Sequence, residues 1–508
     1  GCVALRTRLF CPENSEGIIH FKGLGLFAAV WVDDEKVGTC RQPYSGVTFR
    51  VPASDSTARE LVVFIDNRFD AGRTPLVEPY FDFYCYGGIY RSVEWHVLPE
   101  NAIRRALIQT KDLQKGTLSV KVLFHQALAE EGEVEVRVNR GEWRSVGMAE
   151  KGAEEFVFEE HADPEKVWSP QSPQLQLLEV RLGKDSVTER FGLRTIEVSG
   201  SDIRLNGEAL KLRGICRHEA HPDFGPALPD HVIIQDLQRL RILGVNFVRG
   251  AHYPQDPRFL DLCDEMGMLV FEESLGWGAP ESRLIDPTFG DLTEEQTVGM
   301  ITNSYNHPSI IAWGFLNEAD GSSEKSDSLF TRLAGAIRDA DSSRPLTYAS
   351  NHPFNDRHFE MMDIISINTY PGWYTGEPDR SRPLEEIGEM LTEIQEHLVD
   401  EGCGEKPVLI SEIGAGALYG WRDSHGSHWS EEYQRDFLLE AVRELEGRSW
   451  INGYCLWQFC DTRSYDSALA VQRPRGFNNK GLCDEYRRPK LAWDAVRQCW
   501  QEQKTGSI

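Results

Sequence analysis

The feature that most restricts the fold is an alternation of short apolar runs with segments of helical periodicity, running from about Ile203 to the end of the chain. Apolar residues at helical spacing predict helices over 233–243, 257–266, 328–340, 383–401 and 432–445. Continuous apolar runs predict strands over 245–249, 268–272, 310–316, 364–368, 408–411 and 453–459, the pattern of strands buried on both faces. Strands that alternate with helices pair in parallel, and this length suits a closed eight-stranded β/α barrel. A doubly wound open sheet is the rival. Its nucleotide-binding versions lose support, since no Gly-x-Gly-x-x-Gly follows an early strand and no Gly-x-x-x-x-Gly-Lys-Ser/Thr occurs.

Before Ile203 the pattern differs. Short strands are predicted over 17–21, 28–32, 60–66 and 88–94, then over 102–109, 118–124 and 133–138, punctuated by Gly, Pro, Asp and Asn and with no long helix. Two β-sandwich units are expected, over residues 1–97 and 98–195, ahead of a barrel over 196–508. A chain of 508 residues also exceeds what one hydrophobic core supports.

Charge narrows the function. Lys and Arg number 54 against 80 Asp and Glu, a formal charge of −26, and the acidic residues are spread along the chain. Such a surface repels phosphate backbones, so no nucleic-acid partner is expected. An anionic substrate would need a local positive site. No run has the length of a membrane span, so no membrane partner is expected. Eleven cysteines with no Cys-x-x-Cys pair read as buried free thiols, favouring a reducing compartment. A cytoplasmic location is the expectation, compatible with a signal peptide removed earlier.

In β/α barrels the working residues sit where strands end. One predicted strand runs into Asn317-Glu318 and another into Glu412. Each carboxylate alone reads equally as a salt-bridge or capping partner. Together they fit cleavage of a glycosidic bond with retention, which needs one carboxyl to protonate the leaving oxygen and another, ~5–5.5 Å away, to attack the anomeric carbon.

Four further stretches, Asn306-His307-Pro308-Ser309-Ile310, Arg249-Gly250-Ala251-His252-Tyr253-Pro254, Arg217-His218-Glu219 and Gly87-Gly88-Ile89-Tyr90-Arg91, carry a resemblance to glycoside hydrolase family 2, the group with β-glucuronidases, β-galactosidases and β-mannosidases. The resemblance covers nearly the whole chain. It implies a multidomain β plus α/β fold: a jelly-roll β-sandwich, an immunoglobulin-like β-sandwich and a (β/α)8 TIM barrel. It also implies that Glu318 is the acid/base, that Asn317 bonds the sugar 2-hydroxyl, that Glu412 is the nucleophile and that Tyr370 orients it. Packing at the barrel mouth is the alternative for Tyr370 and Tyr374.

For the sugar, Asn478 and Lys480 in Gly476-Phe477-Asn478-Asn479-Lys480-Gly481 resemble the Asn-x-Lys motif by which β-glucuronidases hold the C6 carboxylate. A carboxylate desolvated in a pocket must be matched by a cation. Asp82 resembles a glucuronidase residue reaching the 4-hydroxyl from the first sandwich, and Trp429 an aromatic lining the pocket. His252 is a pocket residue by resemblance, and Trp457 stands at a strand end. Arg473 and Arg475 flank the motif, and the sequence does not choose between them. The expected partner is a β-D-glucuronide small molecule or a glucuronic-acid-terminated oligosaccharide, with no cofactor and no metal. Family members commonly form dimers or tetramers, which extends the expectation of a homo-oligomer to this chain.

The chain begins where a typical member is one or two strands into its jelly roll, so a shortened first sandwich with an exposed edge is expected. The stretch 273–305 lacks the long active-site loop of some gut bacterial glucuronidases, and a more open mouth admitting larger aglycones is the corresponding hypothesis. The rivals are a β-galacturonidase, a β-galactosidase and, more distantly, a non-catalytic carbohydrate-binding protein. Asp82 speaks against the first, Lys480 against the second, and the two glutamates against the third.

Overall fold

A computed structural model describes residues 1–70, 72–74, 82–374, 384–465 and 473–505. Eight parallel strands close into a barrel: Leu212–Arg217, Phe247–Gly250, Leu269–Glu273, Ile310–Asn317, Leu346–Ser350, Ile365–Asn368, Val408–Ile413 and Ile451–Leu456. Pairing of Leu212 with Gly453 seals the ring. Every residue of Ile310–Asn317 and of Val408–Ile413 is buried, which is why these strands read as unbroken apolar runs.

Helix ends follow local chemistry. Pro257–Met266 starts at Asp256, whose carboxylate accepts from the Arg258 amide at 2.8 Å, has proline in its first turn, and stops at Gly267 with φ 70°. That glycine also allows a close approach, since a Cβ there would meet the Pro170 carbonyl at 2.2 Å.

The earlier residues build two sandwiches. In the first, sheet Cys2–Phe10, Ala58–Asp66, Phe27–Val32, Glu35–Cys40 faces sheet Val47–Val51, Gly17–Phe21, Val93–Val97 around Ile19, Phe21, Val30, Phe49 and Val63. In the second, Ile103–Asp112, Thr117–Phe124 and Glu155–His161 pack on Arg144–Ala149, Gly132–Val138, Gln176–Leu182 and Asp185–Phe191. The fold is thus the expected jelly-roll and immunoglobulin-like sandwiches with a TIM barrel. Strand Cys2–Phe10 is an exposed edge, with Phe10 70% accessible.

Several elements depart from expectation. The predicted strand 88–94 divides into Gly88–Ile89 and Val93–Val97. The helix expected from 383 is a 3-10 turn, Leu384–Glu386, leading into Ile387–Asp400, and Pro383 lies outside the described residues, as do Tyr80 and Phe81 before Asp82. Between the fifth and sixth barrel strands the only helical element is the 3-10 turn Phe359–Met361. Helices Pro287–Ser304 and Leu491–Thr505 were not anticipated. No described helix is long and apolar enough to cross a membrane. All eleven cysteines are free thiols, ten of them wholly or partly buried.

Three of the quoted motifs meet at the joint between first sandwich and barrel. Arg91 donates to Glu219 at 2.8 Å and to the carbonyls of Tyr44 and Pro254 at 2.5 and 2.8 Å, with side-chain exposures of 1% and 2% for the ion pair. Truncating one partner of such a pair strands the other charge in a dry site. Arg91→Ala is therefore expected to cost roughly 3–5 kcal/mol of stability in denaturant unfolding. A loss under about 1 kcal/mol, the range of an exposed pair, would refute this assignment.

Candidate active site

The strand Ile310–Asn317 bends as it ends. Its pairing with Leu346–Ser350 slips between Gly314 and Asn317, and Leu316 and Glu318 adopt left-handed backbone with φ 46° and 51°. That conformation is costly for residues with a Cβ and is tolerated where the surroundings hold it. It lets two consecutive residues, Asn317 and Glu318, both meet Asn368: its amide nitrogen donates to Asn317 Oδ1 at 3.0 Å and to Glu318 Oε1 at 2.9 Å.

Glu412 lies inside strand Val408–Ile413 rather than after it. Tyr370 donates its hydroxyl to Glu412 Oε2 at 2.5 Å, and Arg249 Nη1 donates to Oε1 at 2.7 Å. Burial pushes the Glu412 carboxyl up to about 8; the Arg249 guanidinium opposes the rise, and the negative charge of Glu318 adds to it.

Arg249 is fully buried and organises the floor of the site. Besides Glu412 it binds Glu273 through two nitrogens at 2.9–3.1 Å and Asn317 Oδ1 at 2.8 Å. The other polar end of Asn317, Nδ2, is buried with no hydrogen-bond partner among the described residues. A native interior rarely leaves such a donor unmet. His252 bonds Glu273 through Nδ1 at 2.8 Å, stacks on Trp457 at 5.1 Å, and lies 3.8 Å from Glu412. Burial, reinforced by the Arg249 charge, holds this imidazole well below the usual histidine range.

The remaining expected residues form one wall. Lys480, only 2% exposed, donates to the Tyr374 hydroxyl at 2.7 Å and lies 4.7, 5.5 and 5.6 Å from the rings of Tyr374, Tyr370 and Trp373. Burial drives its ammonium well below the ordinary lysine range, and the charge on Arg473 adds to the effect. Trp429 packs edge-on against Trp373 at 4.8 Å. Asp82, from the first sandwich, takes a bidentate contact from Arg473 at 2.6 and 2.5 Å and a third from Asn478 Nδ2 at 3.0 Å. Arg475 turns to Glu485 at 3.1 Å instead.

The geometry therefore brings Glu318, Glu412, Tyr370 and Asn317 into one network around Arg249 and Asn368, beside a wall of Asp82, Asn478, Lys480 and Tyr374. Against this site, the family model described as the TIM barrel domain of glycosyl hydrolases family 2 matches residues 196–505, and a second family 2 model matches residues 102–194. The chain belongs to glycoside hydrolase family 2. Among relatives, a β-glucuronidase of Streptococcus agalactiae is 26% identical over 96% of this chain and 86% of its own. A β-galactosidase of Thermoanaerobacterium thermosulfurigenes is 29% identical over 93% of this chain and 65% of its own. A solved family 2 β-galacturonidase from Eisenbergiella tayi, bound to galacturonate, is 34% identical, with a TM-score of 0.90 over 99% of this chain and 90% of that one.

Within this family 2 site the sequence missed Arg249, Glu273 and Asn368 as site residues. Arg249 stood in a quoted motif, and Asn368 two positions before Tyr370 at a strand end, the one signal that could have raised it.

Proposed function

We propose that the chain is a retaining exo-glycosidase of β-linked hexuronides, with β-D-glucuronides as the first reading. The observation that carries the reading is Lys480, an ammonium buried beside the carboxylate pair in a chain of net charge −26. A buried cation is costly, and an entering carboxylate is the partner that offsets the cost. A neutral sugar offers it none.

In this mechanism Glu412 attacks the anomeric carbon while Glu318 protonates the leaving oxygen, and the bond to the aglycone breaks as the ester to Glu412 forms. Glu318, now ionised, takes a proton from water, whose oxygen displaces Glu412 and releases the sugar with its configuration retained. The hydrogen bonds from Arg249 and Tyr370 favour the anion on Glu412, the form that attacks. The unmet donor on Asn317 takes the 2-hydroxyl, and Tyr374, Asn478 and Arg473 line the path to C6. His252 and Trp457 form the floor beneath the ring, and Trp429 buttresses the aromatic wall.

The second reading is a β-D-galacturonide, favoured by the likeness to the Eisenbergiella tayi protein. Asp82 no longer decides against it. With Arg473 and Asn478 already on its oxygens, Asp82 presents a neutralised cluster that suits either orientation of the 4-hydroxyl.

Rates on p-nitrophenyl β-D-glucuronide, β-D-galacturonide and β-D-galactoside test the assignment. Both uronides are expected to exceed the galactoside in kcat/KM by at least ~100-fold, the worth of one desolvated charge pair. Preference for the galactoside would sink the uronide reading, and the ratio of the two uronides ranks the epimers.

A further inference from the structure

We propose that His20, Glu94 and His96 form a binding site for a divalent transition-metal ion, zinc foremost, on the outer face of the first sandwich and independent of the glycosidase site. Strand Gly17–Phe21 pairs antiparallel with Val93–Val97, with His20 directly opposite Glu94 and Ile18 opposite His96. Residues two apart on a strand share a face, and cross-strand partners share it too. All three side chains therefore project from one side of the sheet, while Ile19, Phe21 and Trp95 on the other side pack into the sandwich core.

The donor atoms converge. His96 Nε2 is 3.3 Å and His20 Nδ1 3.8 Å from Glu94 Oε2, and one ligand atom from each of the three lies within 4.8 Å of the others. Metal bonds of ~2.0–2.2 Å to tetrahedral nitrogen and oxygen ligands put those ligands on the order of 3.5 Å apart, so side-chain rotations that close the gaps by at most about 1.3 Å complete the set. Two imidazoles and one carboxylate leave a fourth position open, the ligand type and count that zinc takes in open sites.

The surroundings set which atoms bind. The Nε2 side of His20 is closed by Gly46, where a Cβ would stand 2.8 Å away, which leaves Nδ1 for the ion. Lys22 occupies the other oxygen of Glu94, Oε1, at 2.5 Å. The site opens on a cavity of about 850 Å³ where the first sandwich meets Arg105 and Glu189 of the second and Glu295 and Asn303 of helix Pro287–Ser304. A second cluster, Asp261, Asp264 and His307, is tied more tightly into the fold: Asp264 accepts from His307 at 2.6 Å and from the Ser309 hydroxyl and amide, whereas the His96–Glu94 contact is 3.3 Å long.

The test is a calorimetric titration of EDTA-treated full-length protein with ZnCl2, in a Cys2→Ser background that removes the exposed thiol, with CoCl2 as a spectroscopic substitute. The parent and an exposed-histidine control, His231→Ala, are expected to bind one equivalent that His20→Ala and His96→Ala lack. Glu94→Gln, which preserves side-chain size, is expected to weaken binding at least tenfold. In the parent and His231→Ala, saturating zinc should raise the melting temperature by about 2 °C or more, with a cobalt d–d band that disappears in His20→Ala and His96→Ala. Equal stoichiometry and affinity in the parent and Glu94→Gln would overturn the site, even if the alanine variants fail to fold.

Discussion

Replacing Glu412 with alanine is expected to lower kcat on a β-D-glucuronide by roughly 10⁴-fold or more, because no covalent intermediate can form without it. Glu318→Ala should behave differently. Loss of a general acid costs ~10²–10⁴-fold, and the loss should shrink on aryl glycosides whose leaving groups need no proton. Added azide separates the two roles. In Glu412→Ala azide attacks once and gives the α-azide; in Glu318→Ala it intercepts the intermediate and gives the β-azide. The reverse pairing of products would exchange the roles, and equal unrescued losses would leave neither carboxylate as nucleophile. The wild type also has a predicted pH signature. The Glu412 carboxyl, pushed up to about 8 by burial, must be ionised to attack, so kcat/KM should rise as pH rises through that region. A profile flat from about pH 5 to pH 9 would contradict a nucleophile whose carboxyl is held up by burial.

Lys480→Met is expected to reduce kcat/KM on the uronides by about 10²–10³-fold, the cost of leaving a substrate carboxylate buried without its cation. Methionine keeps most of the apolar stem against Tyr370, Trp373 and Tyr374. The neutral galactoside or glucoside should then react no more slowly than with the wild type, because no ammonium has to be buried beside an uncharged C6. An equal loss on charged and neutral substrates would mean that Lys480 only positions Tyr374 and Tyr370, and that the uronide reading has lost its main support.

The barrel could be read from the chain because its strands are buried on both faces and so appear as uninterrupted apolar runs. Helix Pro287–Ser304 could not, since its buried face includes Thr293, Gln296, Thr297 and Ser304 and the apolar period is broken. Strand Cys2–Phe10 escaped for the opposite reason: nearly every residue is exposed, so no face had to be apolar. Glu318 and Glu412 were visible because strand ends mark where catalytic groups gather. Arg249 was not, because sequence does not tell which arginine turns inward, and its role depends on Glu273, Asn317 and Glu412 arriving from three other strands. The pairing of Asp82 with Arg473 joins positions 391 apart, a distance over which no local pattern carries information.

The joint made by Arg91 and Glu219, together with the reach of Asp82 into the site, bears on how this molecule can be taken apart. Its barrel is not a portable catalytic module. Cut away from the first sandwich, it would lose Asp82 from the wall formed with Asn478 and Lys480 and keep Glu219 stranded at the seam. A chimaera that swaps barrels among relatives is therefore expected to fold and work only when the first sandwich travels with its barrel.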